Sequence, residues 1–73
     1  MANQAVSDLE YDLLSVLHNK SEAIKAYDTY IQDAQAKDSK PCVELFKKLQ
    51  EQDISTAKEV REHLKQVMEK GKM

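Results

Sequence analysis

Glycine, proline and cysteine occur once each in this chain, and tryptophan does not occur at all. A single cysteine excludes an intrachain disulfide, and no Cys/His cluster offers a structural zinc site. A single glycine excludes a glycine-rich phosphate-binding loop, and no Ser/His/Asp grouping has a predictable geometry. No apolar run approaches the roughly 20 residues that a membrane span needs. Met1-Ala2-Asn3-Gln4 has neither the basic start nor the apolar core of a signal peptide, so a cytoplasmic protein is expected. Neither half of the chain has the dense basic face with interleaved aromatics typical of nucleic-acid binding. These gaps argue against an enzyme, a membrane protein and a nucleic-acid binder, and no cofactor is expected.

What remains is helical and charged. A third of the 73 residues are Asp, Glu, Lys or Arg, with a net charge of −2. The charge is unevenly split. Residues 1–36 hold two lysines against six acids, a net of −4, and residues 37–73 hold nine Lys/Arg against seven acids, a net of +2. The two halves would attract each other in an antiparallel pair, although exposed pairs contribute little each. A chain this short buries only about 60 % of the surface its unfolded form exposes, so a lone hairpin is marginal and oligomerisation is the remaining way to close a core.

At about 100° per residue, Val6, Leu9, Leu13, Leu17, Ile24, Tyr27 and Ile31 fall within an arc of about 80° that persists for about seven turns. Cys42, Phe46, Leu49, Ala57, Val60, Leu64 and Val67 form a second stripe of about the same width. A break separates them at Asp38-Ser39-Lys40-Pro41. Ser7-Asp8-Leu9-Glu10 has the form of a capping box, and Val6 is placed to staple onto Tyr11. Pro41 suits the first turn of the second helix, with Ser39 or Asp38 as its cap. Gly71 suits a C-terminal stop. One domain is expected, with a helix over about 7–36, a loop over about 37–40 and a helix over about 41–70, forming an antiparallel hairpin.

Each stripe has one charged residue in it. Lys20 lies about 20° from the centre of the first, and Asp53 stands at the centre of the second, with Thr56 on its shoulder about 60° away. A charge in an apolar stripe is costly unless it meets an opposite charge or a ligand. Two readings follow. Either Lys20 and Asp53 form a polar pair in the core, or Lys20 snorkels outward along its stem and Asp53 is hydrated. Leu14, Ala23 and Tyr30 on one helix and Val43, Leu45 and Met68 on the other widen the apolar faces. Two hairpins related by a twofold axis would close them, with Leu13, Leu17, Ile24, Tyr27, Ile31, Phe46, Leu49, Ala57, Val60 and Leu64 as the dimer core.

Other candidates carry less. Cys42 lies in the first turn of the second helix, where the dipole favours a reactive thiolate, but its stripe position argues for a small buried core residue. His18/Glu22 and Glu59/His63 are four apart, and two ligands do not make a specific metal site. Glu44/Lys48, Glu22/Lys25 and Lys58/Glu62 have the spacing of surface ion pairs.

Leu17-His18-Asn19-Lys20-Ser21-Glu22-Ala23-Ile24-Lys25-Ala26-Tyr27 resembles the first helix of the bacterioferritin and ferritin-like family, whose pattern is Leu-x-Asn-Glu-x-x-Ala-Ile-x-x-Tyr. Asp53-Ile54-Ser55-Thr56-Ala57 falls where that family carries Glu-x-x-His-Ala. The separation of 33 residues from Lys20 to Asp53 is close to the family's spacing between its two glutamates. The resemblance covers roughly residues 9–68. It implies an all-α hairpin that dimerises into a ferritin-like four-helix bundle, with iron ligands at the positions of Lys20, Asp53 and Thr56. All three depart from the pattern. A protonated ammonium cannot ligate iron, Asp is one carbon shorter than Glu, and a threonine hydroxyl substitutes poorly for imidazole. The expectation is a non-catalytic structural or protein-interaction module without a metal, with a second copy or another protein as partner. The alternatives are a metalloprotein storing or oxidising iron, and a small helical regulator of RNA or protein.

Overall fold

The computed structural model describes residues 7–70. Two helices make up the fold, α1 (Asp8–Ala36, 29 residues) and α2 (Lys40–Lys70, 31 residues), with no strand among the described residues. They lie side by side as an antiparallel hairpin. Its extents of 51 × 20 × 10 Å are those of a slab two helices wide and one helix thick.

The start of α1 follows from its first four residues. Ser7 is extended (φ −69°, ψ 164°), and its Oγ accepts from the Glu10 N–H at 3.2 Å. The same hydroxyl donates to Glu10 Oε1 at 3.2 Å, and the Ser7 carbonyl takes the first helical bond, from Tyr11 N–H at 2.9 Å. Asp8 and Glu10 place negative charge on the first turn, where the helix dipole favours it. The staple expected from Val6 and the stop expected at Gly71 lie outside the described residues.

The turn reverses the chain in three residues. Asp38 adopts the left-handed conformation, φ 56°, in a place usually filled by glycine. That geometry lets Asp38 N–H donate to Gln35 O at 3.0 Å and Ser39 N–H donate to Ala34 O at 3.0 Å, the paired bonds of a Schellman motif. Ser39 then offers its carbonyl to Val43 N–H at 3.0 Å, which opens α2. The helix begins at Lys40, so Pro41 takes its second position, where no helical N–H is needed.

Packing is confined to the seam between the helices. Leu64 is buried, and the other nine residues expected in a dimer core are half-buried. They line the contact between α1 and α2 within one chain. Near the turn Tyr27, Tyr30 and Phe46 form an aromatic cluster. Tyr27 and Tyr30 meet edge-on at 5.6 Å between centroids, and Phe46 lies 6.5 Å and 5.9 Å from them, within the range of favourable ring contacts. Among the described residues Ala34, Leu64 and Val67 are the buried apolar ones, and Val67 is fully enclosed. Cys42 is exposed, contrary to the core role its stripe position suggested, because the first turn of α2 leans on only one neighbouring helix.

Asp38 bears the steric cost of a left-handed residue with a Cβ, which glycine avoids. Asp38→Gly is expected to raise stability by about 0.5–1 kcal/mol, seen as a higher midpoint in urea titration. A lower midpoint would show that the aspartate side chain makes a compensating contact in the turn.

Candidate functional site

The charged residues of the two stripes meet. Lys20 Nζ stands 3.3 Å from Asp53 Oδ1, and among the described residues this is the single salt bridge. Glu44/Lys48, Glu22/Lys25 and Lys58/Glu62 do not close, as expected of long, hydrated side chains whose pairing contributes only a few tenths of a kcal/mol. The Lys20 side chain retains 37 % of its exposure and that of Asp53 18 %. The pair therefore sits at the edge of the seam, the ammonium reaching across from α1 while the carboxylate is the more enclosed partner.

A second polar contact lies one turn nearer the loop. Gln50 uses both amide hydrogens, one on the Ile24 carbonyl at 2.8 Å and one on Asp28 Oδ1 at 2.9 Å. Neither Gln50 nor Asp28 stood out in the sequence. Both fall about 60° from the centre of their stripes, a shoulder position shared by many solvent-facing residues. The recoverable signal was register. With Lys20 opposite Asp53, moving one turn along each helix places Gln50 opposite Ile24. Together the two contacts form a short polar ladder across the seam.

The other candidates stay apart from it. Cys42 is about 16 Å along α2 from Asp53. Thr56 is exposed. His63 Nδ1 is 2.9 Å from the Glu59 carbonyl oxygen, so that ring nitrogen is engaged by the backbone one turn earlier, and His18 is exposed. Surface clefts of about 350, 540 and 480 Å³ open at the turn, beside Leu64 and Met68, and beside Tyr11 and Leu14, and neither Lys20 nor Asp53 lines any of them.

The donor set does not fit a di-iron group. Lys20 presents an ammonium already bonded to Asp53, and Thr56 faces outward. Among the described residues no three His, Cys, Asp or Glu side chains gather where a metal ion could be held. What the ladder does supply is registry, since an ion pair and a two-pronged amide are satisfied in only one alignment of the helices.

No protein-family model, no curated protein and no solved structure matches this chain. The ferritin-like resemblance thus rests on Leu17–Tyr27 and Asp53–Ala57 alone.

Two measurements check the ladder. Lys20→Met, Asp53→Leu and the double variant should show a coupling of about 0.5–1.5 kcal/mol in urea titrations, below that of a fully buried pair because Lys20 remains over a third exposed. Strict additivity would mean that the contact contributes nothing. Gln50→Ala should cost about 1–2 kcal/mol, and Gln50→Glu more at neutral pH, because a carboxylate would then face both the Ile24 carbonyl and Asp28. Lowering the pH through the carboxylate range, about 4–5, protonates the new group and restores a donor, so the Gln50→Glu deficit should shrink. A deficit that is flat with pH would contradict this geometry.

Proposed function

We propose that this chain is a non-catalytic assembly module, a helical hairpin that pairs with a second copy through one apolar face to complete a four-helix bundle. The observation that carries the reading is area. The chain exposes 5704 Å², whereas a compact protein of 8.4 kDa exposes about 4,600 Å². The excess of about 1,100 Å² exceeds the roughly 800 Å² that each partner buries in a standard protein–protein interface. The radius of gyration of 16.2 Å, against about 11 Å for a compact chain of this length, points the same way.

The two faces of the slab differ. One carries the Gln50–Asp28 bond, with Leu14 and Met68, 42 and 63 % exposed, on the same side by helical angle. The other presents Val16, Tyr27 and Tyr30 from α1 beside Leu45, Leu49 and Val60 from α2. Val16, Tyr30 and Leu45 are 41, 45 and 50 % exposed, while the remaining three are half-buried. Covering this face would complete burial that the hairpin leaves half done. Asp53, the one carboxylate within the second stripe, is engaged by Lys20. The reading does not require ferritin-like descent.

Native mass spectrometry at micromolar concentration should find twice 8.4 kDa, with no stoichiometric iron, manganese or zinc. Leu45→Lys or Val16→Lys should weaken the dimer by about 10- to 100-fold, the equivalent of losing one buried aliphatic side chain. A stable monomer, or a dimer indifferent to both substitutions, would refute the reading.

A further inference from the structure

We infer that the two copies pair with their turns at the same end, so that α1 of each hairpin lies against α2 of the other. The inference rests on the dimer reading above and specifies its geometry. Two twofold arrangements bring the same apolar face together. With the axis along the helices, the turns coincide at one end and each α1 covers the partner's α2. With the axis across the helices, the turns lie at opposite ends and each α1 covers the partner's α1.

Both arrangements bury the same side chains, so apolar area does not choose between them. Charge does. Helix α1 holds six acids and two lysines, a net of −4, and α2 holds seven basic residues and six acids, a net of +1. One of the lysines of α1, Lys20, is already paired within the hairpin. By helical angle Asp8, Asp12 and Asp33 are the charged residues of α1 on the side of Val16 and Tyr30, so turns at opposite ends would set acid against acid. Asp12 would come level with the partner's Asp33, since both are about ten residues from the middle of α1. Turns at the same end set those acids against Lys48, Glu59 and Lys70, the outer charged residues on the same side of α2, with a net of +1. They also bring Asp8, in the first turn of α1, toward the last turn of α2, where Lys70 stands. Packed helices lie about 8–10 Å apart, comparable to the screening length of about 8–10 Å at ordinary ionic strength, so salt attenuates this difference without abolishing it.

The chain's only cysteine reports the orientation. Cys42 is exposed and lies in the first turn of α2, beside the loop. A nitroxide on Cys42, measured by pulsed electron resonance, should give an interchain distance of about 25 Å or less if the turns coincide, and about 40 Å or more if they do not. The unlabelled protein treated with a bis-maleimide of about 10 Å span provides a second reading that does not depend on the nitroxide. Native mass spectrometry accompanies both. A short distance, or cross-linking of most of the dimer through Cys42, supports the inference. A dimer that gives only the long distance and does not cross-link overturns the inference while leaving the dimer reading intact. A monomer at all concentrations tested overturns both.

Discussion

The structure depends on the way a single layer of two helices shields apolar side chains from water. Each helix offers its neighbour one stripe, and a stripe touched by one helix is covered on one side only. That is why, among the described residues, most of the seam is half-buried while Ala34, Leu64 and Val67 are buried. The aromatic cluster of Tyr27, Tyr30 and Phe46 responds to the same constraint. Large rings span a gap that aliphatic side chains on two helices would leave open, yet Tyr30 remains 45 % exposed. The hairpin has helix ends, a turn and a seam, but not the interior of a globular domain.

Long apolar stripes alone would leave such a pair free to slide, because moving one helix by a turn replaces one leucine contact with another. The polar ladder removes that freedom. Lys20–Asp53 and Gln50 with Ile24 and Asp28 are satisfied together in one alignment, and a slipped hairpin would strand a carboxylate beside apolar groups. The Schellman turn acts in concert with the ladder, since a three-residue reversal fixes the relative height of the helices from the other end.

Much of this is legible in the sequence. The stripes, the break at Asp38–Pro41 and the cap at Ser7 depend on neighbours in sequence, and the structure places helices at Asp8–Ala36 and Lys40–Lys70. The meeting of Lys20 and Asp53 was one of two readings, legible because each stood alone in an apolar stripe. Other features depend on what lies across the seam. Gln50 and Asp28 looked like ordinary shoulder residues until the register was known. Cys42 shared the stripe of Phe46 and Leu49 but sits at the helix start, where a two-helix layer gives little cover. Periodicity tells which way a residue faces; it does not tell whether anything is there to cover it. The left-handed Asp38 was hidden for another reason, because backbone conformation in a turn without glycine leaves little trace in composition.

The antiparallel layout also gives the slab a direction. Ser7 and Lys70, the first and last described residues, emerge at one pole, and the Lys37–Ser39 reversal occupies the other, along a body 51 Å in length. Anything joined to the chain near either of those residues would share a single pole. A peptide grafted into the turn would be held at the opposite extreme, about 45 Å away by helix rise. A rod of this kind works as a spacer with a built-in sense of front and back, and its span is set by the number of helical residues rather than by the softness of a linker.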